Sequence, residues 1–274
     1  MSKFVIKDQV DRSIYASFNI LSQLAFFFNF KVKKLIAKNA AYKDRHLGQS
    51  CYILGTGPSI NNLNDSDIEK LKTEIIFGVN SLYKAPRLNA IVPSYYSLFD
   101  NYYWDPNSDF RFAFKEIAEL YDPQPIFLTN YVAKASIDEL GLDQQSLFLY
   151  SKLYPIKSID TDLSRNMHIT MNVVSTTILA AIYMGFKEIY LLGCDYNSFA
   201  TPKTMHCYDD SDEFLEDPEG RLAFLLKFYH LTTEFHYLIA KLAKKRGVKV
   251  VNLTEGSLLD AYPRGNISNV LGRS

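Results

Sequence analysis

The sequence has little cysteine and no long apolar run, and both scarcities restrict what the protein can be. Its three cysteines, Cys51, Cys194 and Cys207, include no CxxC pair, so a disulfide framework or a structural zinc site is not expected and a reducing compartment is. The most apolar early run, residues 24–30, is far shorter than the about 20 residues of a bilayer-spanning helix. No segment resembles a signal peptide. We therefore expect a cytoplasmic protein.

The chain also lacks a net charge, which removes any whole-molecule argument for nucleic-acid binding. The charge is uneven, however. Residues 1–46 contain nine basic and three acidic side chains, a net of +6, so the remainder of the 274 residues must have a net of −6. The N-terminal arm and the body of the protein therefore have opposite signs.

Helical periodicity is present near the N-terminus and a different pattern follows it. Apolar residues recur at helical spacing over residues 13–39, which predicts one long helix. The stripe comprises Ile14, Phe18, Leu21, Leu24, Phe28, Val32, Leu35 and Ile36. From Ser50 onward, short apolar runs alternate with helical segments. The runs are "CYILG", "EIIFGVN", "NAIVPSYY", "PIFLTNY", "SLFLYS", "EIYLLGCD" and "VKVVNLT".

Apolar strands separated by helices indicate a parallel sheet covered on both faces. We predict a Rossmann-like α/β domain over residues 49–274, preceded by a helical arm over residues 1–48. Ligands of such folds bind at the carboxyl ends of the strands. After the predicted strands come "GTGPS", "GVNSLY", "PSYYSLFDNYYW", "TNY" and "CDYNSF", so amides, hydroxyls, tyrosines and aspartates are expected at one rim.

The "GTGPS" loop, residues 55–59, favours an anionic ligand such as a phosphate. Its glycines would let backbone N–H groups approach the ligand, and Ser59 and Asn61 could cap the next helix. The loop lacks the third glycine of the dinucleotide fingerprint and the GK[ST] of a P-loop, so neither NAD nor ATP use follows. The alternative is a plain strand-to-helix turn. Asn80 could likewise simply end its strand.

The motifs "ILGTGPS", "FGVNSLY", "AIVPSYYSLFDNYY" and "MGFKEIYLLGCDYNSF", in this order, resemble the bacterial sialyltransferases of lipooligosaccharide-decorating pathogens. The same outline is similar to a broader group that includes the motility accessory factors, linked to nonulosonic acid transfer, and a pterin pyrophosphokinase. The resemblance covers about residues 50–262 and leaves the arm outside. It implies a GT-A-like nucleotide-sugar transferase.

The resemblance also implies donor-binding positions, with some departures from the family pattern. Thr56 and Ser94 stand where the sialyltransferases have asparagines, and Ser81 stands where they have glutamine. The arginine and the Thr-Ser pair that open their long helix are absent, which leaves Asn172 as the polar contact there. The implied donor site is Gly55, Thr56, Gly57, Pro58, Ser59, Asn80, Ser81, Ser94, Asn172, Gly193 and Asp195, the last for ribose or for fixing the loop.

The family's lid corresponds to residues 196–229, and its catalytic groups can be carried over. Tyr196 and Tyr208 would hydrogen-bond the leaving phosphate. An ungapped count from "GVKVVNL" places the general base at His230, with His206 as the alternative. A core role for His230 and for His236 on the same helical segment is the competing interpretation.

No metal is expected, because "DSD" at residues 65–67 and "DDSD" at residues 209–212 are typical of solvated surface charge. The aromatic cluster after the third strand could instead bind a glycan acceptor by ring stacking. Its candidates are Asp100, Tyr103 and Trp104, with His206 nearby in the lid; ordinary packing is the alternative.

The sequence thus predicts a metal-independent glycosyltransferase that uses a CMP-activated nonulosonic sugar to extend a cell-surface glycan. No further cofactor is expected. A Mg²⁺-dependent pterin-type pyrophosphokinase and a non-catalytic nucleotide-binding module of a glycan pathway remain as alternatives. The arm combines phenylalanines with a lysine-rich end at residues 31–38, which predicts either packing in a homo-oligomer or peripheral contact with the inner membrane.

Overall fold

The computed structural model describes residues 3–201, 205–209 and 221–272. Their core is one eight-stranded parallel sheet with the order β6-β5-β4-β3-β2-β1-β7-β8. The strands are β1 (Ser50–Leu54), β2 (Ile76–Val79), β3 (Tyr95–Leu98), β4 (Ile126–Asn130), β5 (Ser146–Leu153), β6 (Asn166–His168), β7 (Glu188–Leu192) and β8 (Lys249–Asn252). The order reverses beside β1, where β2 and β7 are its neighbours.

Helices cover both faces of this sheet. They are α1 (Lys3–Phe28), α2 (Phe30–Ala37), α3 (Asp65–Leu71), α4 (Ala113–Leu120), α5 (Lys134–Glu139), α6 (Val173–Tyr183), α7 (Arg221–Lys245) and α8 (Ile267–Leu271). Tyr52 and Leu54 of β1 belong to one buried apolar cluster with α3 and α4, whereas Cys51 and Ile53 belong to another with α6 and α7. Because alternate strand residues point to opposite faces, the sheet has a core on each side. The predicted α/β class is confirmed.

Two strands differ from the sequence expectation. The run "NAIVPSYY" was expected to be a strand as a whole, but β3 begins only at Tyr95. A 3-10 helix over Pro86–Leu88 and the nearby Pro93 occupy the preceding segment, and proline lacks the N–H that a central strand donates. The three-residue β6 had no apolar run to predict it.

The N-terminal arm contains two helices, where the periodicity predicted one helix over residues 13–39. Asn29 separates them and caps α2 by accepting a hydrogen bond from the Val32 N–H. Val32 and Ile36 of α2 are buried, but the apolar stripe of α1 faces solvent. Within the described residues, no helix is both long enough and apolar enough to span a bilayer.

Candidate functional site

A cavity of about 160 Å³ lies at the carboxyl ends of β1, β2 and β7, where the strand order reverses. Open α/β sheets bind ligands at such switch points. Its walls come from the three strand-end loops, the start of α6, the segment around residue 206 and one side of α7. The lining residues are Gly55–Pro58, Val79, Asn80, Asn172–Val174, Gly193–Ser198, Met205, His206, Tyr229, His236 and Leu259.

The loops after β1 and β7 are bonded directly to each other. The Gly57 N–H donates to the Gly193 carbonyl at 2.8 Å, and Ser59 donates to the Asp195 carboxylate through its N–H at 3.2 Å and its hydroxyl at 2.7 Å. A Cβ on Gly57 would lie 1.9 Å from Asp195 Oδ2, and one on Gly55 would lie 2.4 Å from the Gly193 carbonyl oxygen. The glycines therefore allow the two loops to touch.

These bonds correct two expectations about the "GTGPS" loop. The N–H groups of Gly57 and Ser59 serve the neighbouring loop instead of facing an anion. The Ser59 and Asn61 side chains do not cap the following helix, because Ser59 bonds to Asp195 and Asn61 donates to the Cys207 carbonyl at 3.0 Å. Asn64 provides the cap of α3 instead.

Asn80 lines the cavity and has a side-chain oxygen without a hydrogen-bond partner among the described residues. Its backbone has a φ of +47°, a left-handed conformation that asparagine adopts more readily than most residues other than glycine. Its side-chain Oδ1 is buried and has no hydrogen-bond partner among the described residues. A buried acceptor without a donor is unfavourable, so a ligand N–H or O–H at this point would be stabilised.

The first turn of α6 forms the opposite wall. Asn172 caps the helix by accepting a hydrogen bond from the Ser175 N–H at 3.1 Å, and the cavity is lined by Asn172, Val173 and Val174. The amino end of a helix has a positive partial charge and N–H groups without intrahelical partners. This wall can therefore hold an anionic group such as a phosphate.

His236 lines the cavity and is fully buried. Its Nε2 lies 3.0 Å from Ser175 Oγ, and its Nδ1 lies 2.9 Å from the Tyr262 hydroxyl. Burial lowers the pKa of its imidazole to about 3, so the ring is neutral at physiological pH. Sequence reasoning missed it as a cavity residue, since its helix offers two histidines and only the tertiary fold distinguishes them.

The depressed pKa of His236 predicts acid-sensitive stability. Below pH 6.5 the unfolded chain binds a proton that the folded protein does not, so stability falls as the pH drops towards about 3. The slope due to this group is at most about 1.4 kcal/mol per pH unit. Urea unfolding at pH 7, 6 and 5 should show this dependence, and His236→Gln should reduce it. An unchanged slope in the variant would contradict the neutral, buried imidazole.

Tyr196 follows Asp195 and occupies the wall beside His236. Its φ is +58°, its ring meets the His236 ring edge-on at 5.5 Å, and its hydroxyl is hydrogen-bonded to Thr232 and accepts from Thr233 at 3.3 Å. The residue expected to contact a leaving phosphate is thus at the cavity, with its hydroxyl held by α7.

His206 is held over the cavity by the β1 loop. The next residue, Cys207, donates its backbone N–H to the Thr56 carbonyl at 2.9 Å. The His206 ring stacks in parallel on Tyr208, with 5.0 Å between the ring centroids. Tyr208 itself packs against the core cluster and does not line the cavity.

His230 lies elsewhere. It is exposed on α7 and lines a cleft between α7 and α1, and a shallow groove beside Tyr196 and Tyr229. Its neighbour Tyr229 is the residue of this turn that lines the cavity. The structure therefore brings His206, and not His230, to the candidate site.

Several other predicted positions are also outside the cavity. Ser94 is exposed and immediately precedes β3, at the amino edge of the sheet, because that strand begins later than expected. Ser81 is buried behind Asn80 without lining the cavity.

The proposed acceptor cluster lies after β3. Tyr103 is fully buried in the core, Trp104 is half-buried, and Asp100 accepts a hydrogen bond from the Tyr102 hydroxyl at 3.1 Å. None of Asp100, Tyr103 and Trp104 lines the cavity. The buried ring of Tyr103 offers no face for stacking, whereas Trp104 remains partly accessible.

The acidic motifs "DSD" and "DDSD" lie in different parts of the chain. Asp67 completes the capping box of α3 with Asn64, and Asp65 pairs with Arg87 at 2.9 Å. The described residues include Asp209 but not the rest of "DDSD". Of the expected lid they include residues 196–201, 205–209 and 221–229. Within the described chain, no group of three or more His, Cys, Asp or Glu side chains is placed to hold a metal ion.

Together, the parallel sheet and the cavity at its switch point define an α/β protein of the doubly wound type, whose ligands bind at the carboxyl ends of the strands. Comparison with known families identifies the group to which the chain belongs. Residues 18–200 match the family described as 6-hydroxymethylpterin diphosphokinase MptE-like, and the chain belongs to this family. The match begins inside α1, so part of the arm belongs to the shared region, which the motif resemblance had left outside.

Among solved structures, the chain is similar to the MAf glycosyltransferase from Magnetospirillum magneticum AMB-1, with 13% identity and a TM-score of 0.48. The similarity covers 86% of this chain and 38% of that one, so the chain spans well under half of its length. No curated protein matches the chain. The expected resemblance to a pterin enzyme is thus supported at the level of family, whereas these comparisons do not show the expected sialyltransferase family.

Proposed function

We propose that the chain is a glycosyltransferase that transfers a CMP-activated nonulosonic, sialic-acid-like sugar to a cell-surface glycan. The observation that supports nucleotide binding most directly is the buried, unpartnered Oδ1 of Asn80. A cytosine amine or a ribose hydroxyl would supply the donor it lacks. The amino end of α6 would hold the phosphate across the cavity.

In the proposed reaction the acceptor hydroxyl attacks the anomeric carbon of the sugar. The carbon–oxygen bond to the phosphate breaks, CMP leaves with the electron pair, and a general base takes the hydroxyl proton. We assign the base to His206, because it lines the cavity, whereas His230 does not. Tyr196 also lines the cavity, and its hydroxyl would have to exchange its hydrogen bond with Thr232 for one to the leaving phosphate in order to stabilise it.

The family match favours a second candidate, a diphosphokinase that acts on a pterin with ATP. Such an enzyme would use Mg²⁺, which requires several oxygen ligands. Among the described lining residues Asp195 is the carboxylate, and both of its oxygens accept hydrogen bonds from Ser59. Because proteins commonly hold Mg²⁺ through one or two carboxylates together with substrate phosphates and water, Asp195 is the described lining residue that would hold the ion, in competition with its hydrogen bonds from Ser59.

Thermal shift measurements separate these candidates. CMP at about 100 times its Kd should stabilise the protein by about 2.7 kcal/mol, or by about 5–10 °C in Tm, in the presence of EDTA. Asn80→Gly should remove most of this shift, since glycine tolerates the positive φ and lacks the amide. Selective stabilisation by ATP with Mg²⁺ would instead support the diphosphokinase. CMP binding without CMP release from any activated sugar would indicate a non-catalytic module.

A further inference from the structure

Helix α1 packs on the sheet through its polar side. Asn19 and the Tyr154 backbone exchange two hydrogen bonds, of 2.9 and 2.7 Å. Ser22 is buried and accepts from Asn166 Nδ2 at 3.1 Å. Tyr15 stacks on the Tyr154 ring with 4.7 Å between centroids. These contacts fix which face of α1 the protein covers.

The opposite face is apolar and exposed, the reverse of an ordinary surface helix. Its residues follow a spacing of four, three, four, three and four, namely Val10, Ile14, Ser17, Leu21, Leu24 and Phe28. We call this row the α1 seam. The apolar members are between 51% and 68% exposed. This alternation is the a/d repeat by which one helix packs against another.

The exposed apolar area of the α1 seam is also large enough for a protein interface. The apolar seam residues with Ile6 expose on the order of 700 Å², more than the largest apolar patch of an ordinary monomer and close to the share of one partner in a standard interface. Phe18, Ile20 and Phe27 flank the seam and are also exposed, so they would pack at its margins.

Charge favours a second α1 in antiparallel orientation. No charged residue occurs from Ser13 to Asn29, whereas a helix lying on anionic lipid usually has basic residues along its polar face. Asp8 and Asp11 lie near one end, and residues 31–34 contain three lysines just beyond the other. The first end also contains Lys3, Lys7 and Arg12, and Lys7 pairs with Asp11 at 2.5 Å, so its net charge is only +1. A parallel pair would place the two lysine-rich ends together, whereas an antiparallel pair places each lysine-rich end beside the nearly neutral one and so reduces the repulsion.

We propose that the α1 seam is a homodimer interface in which two copies of α1 pack antiparallel about a two-fold axis. The register that matches seam positions pairs Val10 with Phe28, Ile14 with Leu24, and Ser17 with Leu21 of the second copy. The Val10–Phe28 and Ser17–Leu21 layers then each combine a smaller with a larger side chain, and the Ile14–Leu24 layer pairs two of equal size, which suits close packing. The dimer leaves the cavity at β1, β2 and β7 on a different part of the sheet from α1, which contacts β5.

Light scattering during size exclusion tests the interface. The 274-residue chain should show twice its 31.4 kDa mass at micromolar concentration. Leu21→Glu should weaken dimerisation by about 1000-fold or more, because each dimer would bury two uncompensated carboxylates. Leu47→Glu is the matched control, since Leu47 is 75% exposed and lies outside the seam. Circular dichroism should show that both variants remain folded, as neither residue is in the core.

Cysteine crosslinking tests the orientation. A mixture of Val10→Cys and Phe28→Cys chains should form the mixed disulfide, whereas either chain alone should not crosslink to itself. Self-crosslinking of Val10→Cys would overturn the antiparallel arrangement. A monomeric wild-type protein, or a Leu21→Glu variant that stays dimeric, would overturn the proposal. Monomeric protein that floats with vesicles of phosphatidylglycerol but not phosphatidylcholine, and loses this with Leu21→Glu, would assign the seam to lipid.

Discussion

His206→Ala should lower the rate of CMP release from a CMP-activated nonulosonic sugar by about two to four orders of magnitude. The affinity for CMP should change by less than about threefold, because the ring is proposed to act on the acceptor proton and not on the nucleotide. Single-turnover CMP release and equilibrium CMP titration measure the two quantities. A loss in rate at nearly constant affinity is the signature of a missing general base.

His230→Ala is the matched comparison. His230 is exposed and lies outside the cavity, so its replacement should leave the rate within about twofold, as expected for a surface position. The ungapped sequence count makes the opposite prediction. If His230→Ala is inactive and His206→Ala is active, the register of that count is right and the acceptor must approach along the groove beside Tyr229.

His206→Gln distinguishes chemistry from positioning. Glutamine can donate and accept hydrogen bonds but cannot take a proton at neutral pH, so it should be nearly as slow as alanine. Recovery of most of the rate by glutamine would show that the residue orients the acceptor. The stacking of His206 on Tyr208 would then be its main role.

The sheet could be predicted because buried parallel strands have a local signature. Runs such as "IYLLG" have no charged residue, and β1, β2 and β7 coincide with runs of this kind. Strand ends at one rim then follow from the fold class alone. The shift of β3 to Tyr95 shows the limit, because an apolar run with proline inside it does not reveal where pairing begins.

Contacts between distant segments could not be predicted in the same way. Asp195 receives hydrogen bonds from Ser59, 136 positions away, and only the adjacency of β1 and β7 in the sheet brings them together. The periodicity of α1 likewise reveals an apolar stripe without revealing what covers it. The polar contacts of Asn19 and Ser22 identify the packed face, and they are visible only in three dimensions.

Gly57→Ala should both destabilise the protein and abolish CMP binding. The backbone at Gly57, with φ −66° and ψ 147°, suits alanine, so the cost is purely steric. The new Cβ would lie 1.9 Å from Asp195 Oδ2 and 2.7 Å from the Gly193 carbonyl oxygen. Pushing the two loops apart should lower the free energy of unfolding by about 1–3 kcal/mol and displace two walls of the cavity.

A double-mutant cycle with Asp195→Ala identifies the cause. Asp195→Ala alone leaves Ser59 without its acceptor and should be destabilising through lost hydrogen bonds. In the double variant the closest clash is gone, so its loss of unfolding free energy should be smaller than the sum of the two single losses, by about 0.5–3 kcal/mol.

Gly48→Ala is the control, because a Cβ there meets nothing within 4 Å and the cost is only its positive φ. This variant should leave the CMP-induced rise in Tm intact. Additive losses in the cycle, or a normal CMP shift in Gly57→Ala, would show that the contact between the β1 and β7 loops does not shape the nucleotide site.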